Sequence, residues 1–273
     1  MIKQNLHTHS LYVDGKDSLA AMAREAYERG FDSLGFSEHG ITDFDARFSL
    51  SNQSALEYAA EVAALKAEYA GKMEIFCGVE QDYYSFAPNF KTDYIIGSVY
   101  YAKKGDVYYI FDTANVERML DGIDKYWNGD RMLYCEEYFS LVTQLPEKTG
   151  CNIIGHFDII TKMNEQKGLF DTEAPRYINA ALCAVDSLCD KDMIFEINTG
   201  AMARGFRTTP YPSLAILRRI KEKGGRILFS SDCHNKTNLE AGMDLAHALA
   251  LEAGFKEFAY LTADGFADMP IEE

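Results

Sequence analysis

Two hydrophobic periods alternate along this chain. Short runs rich in Val, Ile and Phe, at about 3–9, 33–38, 74–81, 93–100, 151–157, 193–198, 226–232 and 257–261, predict strands. Between them, apolar residues recur at helical spacing over 17–29, 52–70, 174–189, 213–223 and 237–253. Asp17 and Ser18 open the first helix, and Gly30, Gly71 and Gly224 stand just past the ends of three of them. Runs such as "MIFEIN" and "RILFSSD" suit strands buried on both faces. Such repeated strand–helix alternation with short loops predicts an α/β fold built as a parallel barrel. Residues 101–150 break the rhythm. They predict two helices, at about 115–127 and 130–148, and carry the sole tryptophan, Trp127. The segment reads as a lid or rim insertion within one domain spanning 1–273.

Polar residues gather where the predicted strands end. His7 and His9 close the first, with Asp14 shortly after; Glu38 and His39 close the second, Glu80 and Asp82 the third. His156 and Asp158 follow "IIG", Glu196 and Asn198 end "FEIN", and Asp232 and His234 lie in "SSDCHN". A strand has a side-chain period of two, so His7 and His9 should share a face. Five of the six histidines thus fall at strand ends; His247, on a predicted helix, is the contrast. Parallel barrels build their active sites from that face. Imidazoles with carboxylates suit Zn, Mn or Fe, and there are too many donors for one ion. Two or three divalent ions bridged by a carboxylate account for them. Ions so placed suit phosphoryl transfer.

Composition narrows the classes. Lys and Arg number 27 against 42 Asp and Glu, a formal charge of −15, with no basic block. That argues against a nucleic-acid binder. No apolar run is long enough for a membrane span. The six cysteines are scattered with no CxxC pair, as in a reducing compartment, and "MIKQNLHTHS" lacks a signal-peptide core. A cytoplasmic enzyme acting on a small molecule is the expectation, and a homo-oligomer is left open.

In this order, "HTHS…DG", "GFSEHG", "GVEQD", "IIGHFDI", "FEINTG" and "SSDCHN" resemble the polymerase-and-histidinol-phosphatase (PHP) family, from His7 to about Thr262. The resemblance implies a distorted (β/α)7 barrel with a metal cluster at the C-terminal face of its strands. It implies a metal-dependent phosphomonoesterase, nearest to members that act on L-histidinol phosphate. Carried over, His7, His9, Glu80 and Asp232 hold one ion. Glu80 bridges to a second that also takes His156, and His39, His234 and Asp14 attend a third. Asp232, with Glu80 and His234, is the implied catalytic group.

One position departs from the pattern. Tyr100, in "GSVYY", stands where the resemblance implies a histidine ligand of the second ion. For the substrate, Arg204 is the favoured phosphate ligand, because "FEINTGAMARG" resembles a phosphate-gripping loop and a guanidinium matches phosphate oxygens. Arg207, Lys162, Glu38 and Tyr100 are further substrate candidates, with Glu38, Asp82 or Asp158 for an amine and Tyr83 or Phe157 for a ring. Three alternatives stay open: another small phosphate ester, amidohydrolase chemistry, and a non-catalytic metal-binding descendant.

Overall fold

The computed structural model describes residues 2–271. Its strands are β1 (Gln4–Asn5), β2 (Ser33–Phe36), β3 (Glu74–Asp82), β4 (Tyr94–Ser98), β5 (Tyr101–Lys104), β6 (Val107–Ile110), β7 (Ile153–Ile154), β8 (Ile194–Asn198), β9 (Arg226–Ser230), β10 (Glu257–Thr262) and β11 (Gly265–Pro270). Seven of them form one parallel sheet in the order β1-β2-β3-β4-β7-β8-β9. The sheet curls until its ends meet. Thr8 and Cys233 form the closing bridge, where the His9 N–H donates to the Cys233 carbonyl at 2.9 Å. Below that bridge no ladder joins β1 to β9, and the Asn5 side chain fills in, donating to Ser231 Oγ at 2.6 Å and the Leu239 carbonyl at 3.1 Å.

The barrel helices follow the predicted ones closely. Leu19–Glu28 begins after Ser18, whose hydroxyl accepts from the Ala21 N–H, and Asn52–Glu68 begins with a capping box at Ser51 and Ser54. The last helix starts later than expected, at Met243 instead of 237. Gly242 before it has φ +75°, a left-handed conformation that no helix interior accommodates. Among the described residues, no helix is long and apolar enough to cross a membrane.

Residues 101–149 hold more than helices. They open with the antiparallel β5–β6 hairpin, then run through helices Val116–Trp127, Arg131–Val142 and Leu145–Thr149. Pro146, in the first turn of the last, explains the break in the expected 130–148 helix: it has no N–H to continue the ladder. Trp127 is buried among Tyr109, Phe111 and Tyr134, and its indole N–H donates to Glu137 at 2.8 Å. Phe139 meets Tyr177 of helix Pro175–Cys189, so the segment is packed onto the barrel wall.

The eighth predicted strand forms, but outside the barrel. β10 pairs with β11 as a hairpin, held to β1 because Gln4 donates to the Leu261 carbonyl and accepts from its N–H, each at 2.9 Å. Ala259 and Leu261 join Leu6, Phe76, Tyr94, Ile96, Ile153, Ile194 and Leu228 in one buried apolar cluster that fills the N-terminal end of the barrel. Each large side chain buried there contributes roughly 1.5–3 kcal/mol. Moving up each strand by twos, the inward residue changes character. Phe76 gives way to Glu80, Ile96 to Ser98, Ile194 to Glu196, and Leu228 to Ser230 and then Asp232.

Candidate metal centre

That switch creates the site. His7, His9, Glu80 and His156 are fully buried at the C-terminal end of the barrel, with Asp232 only 4% exposed. Leu6 and His7, though neighbours, both face the interior, because β1 loses its regular pairing after Asn5. Beyond that slip the strand period holds. His7 and His9 face the cluster with rings 5.1 Å apart, while the Thr8 hydroxyl turns away to the Gly35 carbonyl.

Four side-chain atoms outline a small polyhedron. Glu80 Oε2 lies 3.3 Å from His7 Nε2 and 3.5 Å from His9 Nε2; Asp232 Oδ1 lies 3.7 Å and 3.5 Å from the same two nitrogens. Ligands about 2.1 Å from a tetrahedral ion stand about 3.4 Å apart, so these spacings match the edges of a zinc-sized coordination shell. A second set opens toward solvent. Asp14 Oδ2 is 3.2 Å from His234 Nε2 and 3.7 Å from His39 Nε2, and His39 Nδ1 is 3.0 Å from Glu80 Oε2. Glu80 Oε2 thus faces both sets. His156 occupies a third corner, where Tyr100 donates its hydroxyl to Glu80 Oε1 at 2.6 Å and lies 2.8 Å from His156 Nε2.

The donor set fits divalent cations. His7 Nε2, both ring nitrogens of His9, Asp14 Oδ1 and Glu80 Oε2 are buried without hydrogen-bond partners. An unpaired buried polar atom costs about 1–3 kcal/mol, and here several such atoms face one another around carboxylates. A cation satisfies them together. The protonation equilibria point the same way. Burial works against charge on His7, yet Glu196, Glu80 and Asp232 outweigh it and hold His7 well above its ordinary value. Burial likewise opposes ionisation of Glu80 and Asp232, but the facing imidazoles and, for Asp232, Arg204 keep both carboxyls well below theirs. Bound ions replace such protons, as metal binding to imidazole and carboxylate does. His9, desolvated and beside His234 and His39, is lowered to about 4 and presents a neutral ring.

Several residues hold the donors in place. Glu196 was noted at its strand end but given no role by sequence. Its Oε1 is 2.6 Å from His7 Nδ1, fixing the proton there and leaving Nε2 for the cluster, while Oε2 accepts from the His156 N–H at 2.7 Å. Its inward position in "FEIN" was the available signal. Asp232 has φ +44°, strain that non-glycine residues accept mainly at functional sites. Arg204 braces it through the Asp232 carbonyl and Oδ2, both at 3.0 Å.

A cavity of about 280 Å³ opens over the cluster, lined by Asp14, His39, Glu80, Tyr100, Arg204, Asp232 and His234 together with Asp82, Asp112 and Lys162. Lys162 pairs with Asp112 at 2.8 Å. Asp112 was missed by sequence because the β5–β6 hairpin that delivers it was missed. Asp82 accepts the Tyr84 and Tyr100 N–H groups, and burial pushes its carboxyl up to about 7. Other expected substrate residues lie elsewhere. Arg207 is bound to Thr161 and Thr209, stacks over Tyr211, and lines a separate cavity with Asp158. Glu38 is buried away from the lining and accepts the Ser10 N–H at 2.7 Å. Tyr83 donates to Gln144 instead of facing the cavity, and Phe157 is buried in the core.

A family model described as the PHP domain matches residues 5–200. The chain is 25% identical to a "probable histidinol-phosphatase" of Schizosaccharomyces pombe, over 91% of this chain and 86% of that one. It is 24% identical to the histidinol-phosphatase of Bacillus subtilis, over 86% and 94% respectively. Among solved structures, the histidinol phosphate phosphatase of Lactococcus lactis, determined with zinc, L-histidinol and phosphate, aligns with a TM-score of 0.70 at 22% identity, covering 97% of this chain and 98% of that one. The matched span carries every cluster residue except Asp232 and His234, and this chain belongs to the PHP domain family.

Proposed function

We propose that this chain is a metal-dependent phosphomonoesterase that hydrolyses L-histidinol phosphate to L-histidinol and phosphate, a step of histidine biosynthesis. The observation that carries the reading is the four-donor set of His7, His9, Glu80 and Asp232 beside Arg204, at the floor of a cavity that also presents carboxylates. The names of the relatives and the ligands of the Lactococcus lactis structure support it. His7, His9, Asp14, His39, Glu80, His156, Asp232 and His234 would hold more than one divalent ion, Zn, Mn or Fe, since the donors exceed one coordination shell. Ions held there neutralise phosphoryl charge and activate water.

The chain's own residues do the rest. Arg204 uses two N–H donors on Asp232, leaving three for phosphate oxygens. Asp232, ionised at the boundary between cluster and cavity, takes the proton released by the attacking water and passes it to the departing alkoxide oxygen, with Glu80 and His234 holding their places in the shell. Asp82 and Asp112 receive the histidinol ammonium, and Lys162 keeps Asp112 turned inward. The whole chain acts as one unit, in which the 101–150 insertion contributes Tyr101, Ile110 and Asp112 to the cavity. A small phosphate ester, not nucleic acid, is the partner, in keeping with the charge of −15. Six unpaired thiols favour a cytoplasmic setting.

The test is phosphate release from L-histidinol phosphate and from a panel of small phosphomonoesters, by protein stripped and then reloaded with Zn, Mn or Fe. Strong preference for histidinol phosphate, lost on stripping, is expected. Equal release from all esters would move the substrate elsewhere, and no release from any would remove the activity.

A further inference from the structure

The three corners of the cluster are not alike. At the first, His7 Nε2, His9 Nε2 and Glu80 Oε2 are buried and unsatisfied, and at the second Asp14 Oδ1 is. At the third, His156 Nδ1 lacks a partner, but the atoms that meet Tyr100 are engaged. Glu80 Oε1 receives the Ser98 hydroxyl at 2.6 Å and the Tyr100 hydroxyl at 2.6 Å, with His156 Nε2 2.9 Å away. Tyr100 also lies 2.8 Å from that nitrogen. One carboxylate oxygen has two lone pairs, and two hydroxyl donors take both.

Tyr100 is also anchored. Its N–H donates to Asp82 Oδ2 at 2.8 Å, and its carbonyl accepts the Phe111 N–H at 2.7 Å. Its ring meets those of His39 and His156, with centroids 5.4 Å and 5.3 Å away. The backbone is thus held at both its N–H and its carbonyl, with the ring set beside two imidazoles. His7, His156 and Asp232 do come within ligand range of one another, but His7 and Asp232 already belong to the first set.

We propose that Tyr100 fills the His156 corner with a hydrogen-bonded hydroxyl, so that the centre holds two ions and not three. One ion takes His7, His9, Glu80 and Asp232; the other takes Asp14, His39 and His234, with Glu80 facing both. His156 and Tyr100 then hold Glu80 in orientation instead of binding metal. This inference rests on the metal-centre reading but not on the identity of the substrate.

The experiment counts metal per chain. Wild type, Tyr100→Phe and Tyr100→His are saturated with Zn, freed of excess on a desalting column, and analysed by inductively coupled plasma mass spectrometry, with circular dichroism to confirm folding. Two ions are expected in wild type and in Tyr100→Phe, which removes the hydroxyl without changing the ring. Tyr100→His, which supplies a ligand at the corner, should gain a third. Three ions in wild type, an ion lost in Tyr100→Phe, or a count still at two in Tyr100→His would each overturn the proposal. The count involves no substrate, so failure to hydrolyse histidinol phosphate leaves it standing. A chain that retained no ion at all would remove the metal centre and the two-ion proposal together.

Discussion

At the N-terminal end of the barrel the inward side chains are Phe76, Ile96, Ile194 and Leu228; further along the same strands they are Glu80, Ser98, Glu196 and Asp232. Both layers are buried, and they are built on one strand geometry with one period. The lower layer is apolar apart from the Tyr94 hydroxyl, which two carbonyls satisfy, and is sealed by the β10–β11 hairpin. The upper layer is full of polar atoms that satisfy one another poorly, a set that divalent cations would complete. Stability and chemistry are therefore separated along the strand axis, a few residues apart. Substitutions below should move melting temperature and leave turnover; those above should do the reverse.

The largest break in that comparison should come from Asp232→Asn. On the proposed roles it would remove a ligand charge and a proton carrier, and kcat/KM should fall by about 10³-fold, the upper range for deleting a group that stabilises developing charge. The circular dichroism spectrum should not change. Arg204→Ala should lower kcat/KM by about 10²-fold, seen in steady-state kinetics with phosphate detection. Glu196→Gln sharpens the point by leaving every ligand in place. It loosens the grip on His7 Nδ1, so zinc affinity measured by chelator competition should drop about 10–100-fold.

The lower layer is tested by Gly78→Ala. A Cβ at Gly78 would stand 2.2 Å from the buried Tyr94 ring, whose hydroxyl is tied to the Leu6 and Phe36 carbonyls and cannot give way. Such overpacking costs about 1–3 kcal/mol. A lower melting temperature with kcat/KM unchanged, at a temperature where the variant is folded, is the expected result.

The smallest effect concerns pH. Burial raises the Glu38 carboxyl to about 8, above its ordinary 4.5, although Ser10 donates to it. Folded protein keeps that proton while unfolded protein releases it above about 4.5. Glu38 therefore costs nothing at lower pH and erodes stability as pH climbs toward 8. Glu38→Gln should flatten the decline in melting temperature of metal-stripped protein between pH 5 and pH 8, both endpoints being about those of the shift.

What could be read from sequence follows from periodicity. Strand ends at His7, His39, Glu80, His156 and Asp232 sit on elements whose hydrophobic pattern is strong, and the structure brings all five together. Positions outside a regular element were harder. Arg204 and Arg207 are three residues apart in one loop, yet the first braces Asp232 and the second turns to Thr161 and Tyr211, a choice no period encodes. Asp112 was hidden because it follows a hairpin turning at Gly105, φ +63°, inside a segment read as helical. The left-handed backbone of Asp232 has no sequence signature either, since it is imposed by the contacts around it.

The account stands on cations completing the upper layer. The direct measurement is a crystal structure of zinc-loaded protein with anomalous scattering collected at the zinc edge. The account predicts one anomalous peak enclosed by His7, His9, Glu80 and Asp232 and another among Asp14, His39 and His234. A map with no anomalous density among these residues, while they stay buried and paired as described, would contradict it.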